Sequence, residues 1–323
     1  MWGNLECRCS VLATSNPTIV ARLAESIYWL ICFPMPNRTR PTTFFIVATA
    51  CLLAQPAMCD AASRTPQSLA AAIPRDQYLD LRRQNEALEL LAAAWEADPT
   101  YAETGGEVFR NESIKHLNIS AALVADTSNP YQKAVILYGY LQDSVLVGEF
   151  DSGCARIART LCNGDHNCLT STLVYLALCR NAGIQCCALE SPGHVRVQLT
   201  LETRQHIVET TQRNGWSHAT SMNEAKITDR QLIARVYYNL GILFAQAINY
   251  PQAAQLSWHA MQLDPTHGSS RNNWLATLNN WSLELIQQEN LEQAREIIRR
   301  GLAVDPFYEP LLRGKAYLER RHP

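Results

Sequence analysis

One stretch of the chain, residues 164–211, holds three side-chain types that can act together on a carbonyl group. They are the thiol of Cys168, the imidazole of His194 and the carboxylate of Glu209. In such a combination a thiolate attacks the carbonyl carbon, an imidazole takes up and returns the proton, and a carboxylate orients the imidazole. This set of residues favours nucleophilic cysteine catalysis, provided that the fold brings the three groups together.

Local signals place Cys168 at the start of a helix. Asn167 is a good N-cap residue, an apolar pattern runs over residues 168–181, and Gly183 supplies a stop at the C-terminal end. A thiol in the first turn lies at the positive end of the helix dipole, which favours the thiolate. We also expect the backbone N–H groups of this turn to be able to donate to an oxyanion.

The period of the apolar pattern changes after this helix. Alternation predicts strands at residues 184–189, 194–201 and 206–210, separated by turn residues. His194 opens the second strand and Glu209 lies near the end of the third. An antiparallel hairpin therefore carries the carboxylate back to roughly the level of the imidazole, although the cross-strand register is not fixed by the sequence.

Helical patterns precede this predicted sheet. Helices are expected at residues 78–97, behind Asn129-Pro130 and at residues 152–161, whereas residues 100–130 carry helix breakers and mixed patterns. The predicted fold class is therefore α+β, with helices first and a small antiparallel sheet after them.

From Ala234 onward the pattern is both helical and repetitive. Its aromatic, small and proline positions have the spacing of a tetratricopeptide unit of about 34 residues: Tyr237, Leu240, Gly241, Phe244, Ala253, Ala260 and Pro265. A second unit ends at Asp305-Pro306, and the helix before Asp98-Pro99 looks like half of another. Two interpretations stay open: a helical cap that only packs on the rest of the chain, or a surface that binds a peptide or a protein.

Together these features resemble the transglutaminase-like (papain-like) superfamily. In that family a Cys opens a helix, a Gly-Ile pair follows the helix, and a His strand and an acid strand come next. The corresponding residues here are Cys168, Gly183-Ile184, His194 and Glu209-Thr210-Thr211. The resemblance implies a papain/transglutaminase-like core with Cys168 as nucleophile, His194 as general base and acid, and Glu209 as orienting group. The chain departs from the usual pattern by placing His166-Asn167 before the cysteine and by using a glutamate as the acid.

The N-terminal part of the chain is typical of segments outside a mature fold. A short basic region, the apolar run 44–54 and small residues after it describe a secretory signal peptide. Met35 precedes this region, so we interpret residues 1–34 as a non-native extension and residues 35–62 as the signal. The expected location is secreted or periplasmic; the alternative is a membrane anchor facing the periplasm, through an uncleaved signal or a lipid.

Composition limits the function classes. The net charge of −2 offers no basic field to a nucleic acid. Five of the eleven cysteines lie before residue 60, and in an oxidising compartment the others allow two disulfides beside one catalytic thiol. Cys154, Cys162, His166 and Cys168 cluster in the sequence, but their spacing matches no common zinc pattern. Neither a metal nor another cofactor is expected.

The length of 323 residues suits about two domains. We divide the chain into an extension (1–34), a signal peptide (35–62), a linker and helix (63–99), a transglutaminase-like domain (100–228) and a tetratricopeptide region (229–323). The favoured function is cysteine-dependent acyl transfer on an amide bond of a peptide or protein substrate. Hydrolysis by a peptidase or amidase is favoured over crosslinking, since no calcium-site pattern accompanies the core. The alternative is a catalytically inactive module that binds a peptide or a partner protein through the repeats.

Overall fold

The computed structural model describes residues 75–101, 106–217 and 224–321. The predicted extension and signal peptide lie outside these residues, and the described ones belong to one compact unit. The described helices are, in chain order, α1 (Arg75–Glu96), α2 (Gly106–Leu123), α3 (Pro130–Tyr140), α4 (Ile157–Asn163), α5 (Cys168–Asn181), α6 (Asp229–Gln246), α7 (Tyr250–Leu263), α8 (Gly268–Gln287), α9 (Leu291–Val304) and α10 (Glu309–Arg321), with a π-helical turn at Leu141–Val145 after α3. None of these described helices combines the length and the apolar character needed to cross a membrane.

Five strands form one antiparallel sheet in the described part of the chain. They are β1 (Gln185–Ser191), β2 (His194–Leu201), β3 (Arg204–Val208), β4 (Trp216–Ser217) and β5 (Ala225–Ile227), in the spatial order β4-β3-β2-β1-β5. Two-residue turns join β1 to β2 and β2 to β3. Gly193 and Glu202 lie in these turns with φ angles of 73° and 55°, the left-handed conformation that tight hairpins need. The predicted α+β class is confirmed at this level.

One helix was not predicted, and the predicted start of another is wrong. Residues 106–123, expected to be irregular, form α2, which buries Leu117 together with the polar side chains of Ser113, His116 and Ser120. A helix whose buried face is mostly polar has no clear apolar period, so the pattern missed it. The helix expected at residues 152–161 begins only at Ile157.

Helix α5 lies at the centre of the core, between α1 and the strands β1 and β2. Every residue from 169 to 179 is buried, as expected of a helix that is apolar on almost all sides. Cys168, at its first position, is half-buried. A thiol at the end of so tightly packed a helix has a well-defined position.

The five C-terminal helices pack in sequence order, each against the next. Gly241 of α6 lies against α7, because an added Cβ would stand 2.6 Å from Ser257 Oγ. Leu232, Leu240 and Leu256 share a core with the sheet and α5, whereas a second core begins at Ala254. The first helical pair is therefore continuous with the upstream core across the predicted boundary at 228/229. The assignment of these helices as tetratricopeptide units stays a prediction.

Candidate active site

The start of α5 holds Cys168 by a reciprocal cap. The Oδ1 of Asn167 accepts hydrogen bonds from the N–H groups of Leu169 (2.9 Å) and Thr170 (3.0 Å), and the N–H of Asn167 donates to Thr170 Oγ1 (3.1 Å). Asn167 is thus the N-cap, as the sequence predicted. The cap uses the N–H groups of Leu169 and Thr170. Of the first-turn groups expected to bind an oxyanion, the N–H of Cys168 is therefore the one that the cap leaves available.

Two glycines allow a second segment to lie against the chain just before the cysteine. The N–H of Asp151 donates to the carbonyl of His166 (2.9 Å), and the N–H of His166 donates to the carbonyl of Glu149 (3.0 Å). A Cβ at Gly164, where φ is 81°, would stand 2.6 Å from the backbone nitrogen of Gly148. Only glycine suits such a contact at such an angle. We call residues 147–152 the flanking segment.

The hairpin of β2 and β3 brings His194 and Glu209 together. Val197 of β2 pairs with Val208 of β3. The next residue along the chain, Glu209, therefore lies opposite Arg196, and its side chain is on the same face of the sheet as Arg196 and His194. Residues two positions apart across a pair are diagonal neighbours within reach of long side chains. The Nε2 of His194 lies 2.5 Å from Oε2 of Glu209, and the additional methylene of a glutamate is compatible with this contact.

The imidazole also contacts the thiol. A side-chain hydrogen bond with Cys168, followed by the one with Glu209, raises the pKa of His194 to about 10. Burial raises the pKa of Glu209, but hydrogen bonds from His194 and Thr211 outweigh it and lower the pKa below its usual value. The contact with Glu209 uses Nε2 of the ring. The raised pKa keeps the ring an imidazolium at neutral pH, with a thiol and a carboxylate as its partners.

Buried hydroxyl groups join the helix to the strands. Thr210 Oγ1 lies 2.7 Å from Ser171 Oγ and 3.3 Å from Thr172 Oγ1, and all three residues are fully buried. Thr172 Oγ1 also donates to the carbonyl of Val195 at 3.5 Å. One hydroxyl cluster thus links the helix of the thiol to the strand of the imidazole and to the residue after the carboxylate.

The segment that carries Glu209 is fixed from its other side by α3 and the turn after it. Tyr138 Oη contacts the carbonyls of Glu209 (2.9 Å) and Gln212 and accepts a hydrogen bond from the N–H of Gly215 (3.2 Å). Gln142 Nε2 donates to the carbonyl of Thr210 at 2.7 Å. The sequence reasoning did not assign these two side chains, since nothing in their spacing relates them to Glu209.

The other residues considered for chemistry lie outside this site. All six cysteines in the described residues are free thiols, so the structure contains neither of the two disulfides that the sequence allowed. Cys154 is buried, and its Sγ lies 3.4 Å from the carbonyl of Asp165. No group of three or more His, Cys, Asp or Glu side chains in the described ranges could hold a metal ion.

Replacing Glu209 by glutamine is expected to lower the pKa of His194 from about 10 toward its ordinary value. A histidine whose pKa is raised on folding contributes stability that is fully present below pH 6.5, its pKa in the unfolded chain. This contribution is lost as the pH rises through the pKa of the folded state. In Glu209→Gln this contribution is therefore smaller, and its loss is complete at a lower pH. Titration of the ring nitrogens by NMR checks this, with His116, whose pKa burial lowers, as internal reference. An unchanged His194 titration would contradict the assigned contact.

Comparison with known proteins adds no relative from which roles could be transferred. No protein-family model matches the chain, no curated protein matches it, and no solved structure matches it. The functional conclusion therefore depends on the arrangement of Cys168, His194 and Glu209.

Proposed function

We propose that the protein is a cysteine-dependent acyl-transfer enzyme that attacks an amide bond through Cys168, His194 and Glu209. The observation that carries the proposal is that the His194 ring has both other groups as partners: Nε2 lies 2.5 Å from Glu209 Oε2, and a hydrogen bond with Cys168 is the largest cause of the raised pKa of the ring. Imidazolium and a helix N-terminus both stabilise a thiolate.

The first half of the reaction follows from this resting pair. Sγ of Cys168 attacks the amide carbon, and the N–H of Cys168 donates to the oxyanion. The imidazolium of His194 then protonates the amide nitrogen as the C–N bond breaks. The amine leaves and a thioester remains on Sγ.

The second half returns the site to its starting state. Neutral His194 takes a proton from water while the water oxygen attacks the thioester carbon, and the acid leaves as the C–S bond breaks. The side chain of His194 is 35% exposed, so water can reach it. This accessibility favours hydrolysis of a peptide or amide over crosslinking of two proteins.

The proposal extends to the surroundings of the site. We infer a papain/transglutaminase-like core followed by tetratricopeptide hairpins, whose surface offers a place for a peptide or protein partner. We infer a secreted or periplasmic enzyme. Both inferences rest on the sequence patterns, and the central helix with its adjoining antiparallel strands is compatible with the first.

Site-resolved alkylation with iodoacetamide tests the function without a known substrate. Cys162 is a control thiol in the same molecule, since it is exposed and desolvation raises its pKa. At pH 6, Cys168 is expected to react about tenfold or more faster than Cys162. Equal rates for the two thiols at pH 6 would refute the enzyme and leave the inactive binding module.

A further inference from the structure

Two large apolar side chains are exposed in the segment that lies against the chain just before Cys168. Val147 is 66% exposed and Phe150 is 59% exposed, and both belong to the flanking segment. The ring of Phe150 contacts the ring of His166 edge-on, with the centroids 5.9 Å apart. His166 precedes Cys168 by two residues, a backbone span of about 7 Å at most. The ring of Phe150 therefore packs on the residue two positions before the attacking thiol, and Val147 belongs to the same segment.

The backbone of Phe150 is extended and open on one side. Phe150 forms a parallel bridge with His166, in which the carbonyl of Glu149 and the N–H of Asp151 both point toward His166. Backbone groups alternate in direction along an extended strand, so the N–H and C=O of Phe150 itself point away from His166. A peptide placed along that outer side would add a third strand to the bridge.

Close backbone contacts and a side-chain hydrogen bond fix the position of the flanking segment. Gly148 and Gly164 approach each other so closely that neither can carry a Cβ without meeting the other's segment. Asn167 Nδ2 also donates to the carbonyl of Ser152, at 3.3 Å. The residue that caps the catalytic helix thus also holds the end of the flanking segment.

We propose that Phe150 and Val147 form a subsite for a large apolar side chain of an extended peptide substrate, whose backbone hydrogen-bonds to that of Phe150. The occupant is the peptide whose amide Cys168 attacks, so the inference rests on the proposed function. Glu149 is exposed beside Phe150, and its charge disfavours an acidic side chain at this subsite.

Two peptidyl vinyl sulfones test the subsite. They share one thiol-reactive group and differ in the two residues next to it, which are phenylalanine and leucine in one probe and serine and glutamate in the other. The apolar probe is expected to modify Cys168 about tenfold or more faster than the polar probe. In Phe150→Ser this preference should fall to near unity, while iodoacetamide alkylates Cys168 at the native rate.

A matched exposed phenylalanine serves as the control. Phe307 is 86% exposed in the C-terminal helical region, and Phe307→Ser should keep the preference of the native protein. The subsite is refuted if the native protein has no preference, or if Phe150→Ser retains it, while iodoacetamide still distinguishes Cys168 from Cys162. If iodoacetamide does not distinguish the two thiols, the proposed function fails and the subsite fails with it.

Discussion

His194→Ala is expected to slow the reaction of Cys168 with the apolar peptidyl vinyl sulfone about a hundredfold at pH 6. Addition of Sγ to the vinyl group requires a thiolate and then a proton on the neighbouring carbon. The imidazolium of His194 stabilises the thiolate and supplies the proton. Its pKa, raised to about 10 by the hydrogen bonds with Cys168 and Glu209, keeps the ring protonated at this pH. Second-order rates of modification, measured by mass spectrometry, give the result.

Two controls separate loss of catalysis from loss of folding. His259→Ala removes a half-buried histidine whose ring packs on Tyr237 at 5.5 Å in the helical region, and it should leave the rate at Cys168 unchanged. Iodoacetamide should label Cys162 equally in both variants. A His194→Ala rate close to the native rate, with these controls intact, would exclude His194 from the mechanism.

Arg235→Ala is expected to lower the free energy of unfolding by about 3 kcal/mol, which is the low end of the range for removing one partner of a buried ion pair. The guanidinium of Arg235 connects α6 to β1 and to the end of α7. Its Nε and Nη2 contact Glu190 at 2.5 and 2.7 Å, and its Nη1 contacts Asp264 at 2.8 Å. The side chain of Asp264 is only 3% exposed. Thr266 still donates to it at 2.6 Å, so the loss stays at the low end.

Chemical denaturation at neutral pH measures this effect, with Arg271→Ala as the matched control. Arg271 contacts Asp305 at 3.1 Å in the following pair of helices, but its side chain is 44% exposed. Exposed pairs contribute about 1 kcal/mol or less, so this variant should remain close to the native stability. If the two variants lose the same free energy of unfolding, the buried position of Arg235 makes no additional contribution to stability.

The Arg235 contacts also concern the site. Glu190 lies on β1 opposite Val195, the residue after His194. The first C-terminal helix therefore supports the hairpin that presents the imidazole. A boundary predicted at 228/229 from the change to a repeat pattern did not anticipate this support, because a repeat pattern records helix periodicity and not the surface that a helix packs against.

Some elements of the site were predictable because their determinants are close together in the chain. Asn167 caps the helix through N–H groups two and three residues away, and Pro192-Gly193 forms a turn between paired strands. Such contacts depend on residue type and local backbone geometry alone. The helix α2 was missed for the opposite reason, since its buried face is polar and its position depends on what it packs against.

By itself the sequence determined the residue types of the site, the helix that begins at Cys168 and the hairpins that carry His194 and Glu209. Only the tertiary structure decided the register that puts Glu209 on His194 Nε2, the hydroxyl cluster around Thr210 and the contact of Gly148 with Gly164. The first group depends on interactions within a few residues, which a pattern along the chain records. The second depends on atoms that are distant in sequence and meet only when the core packs.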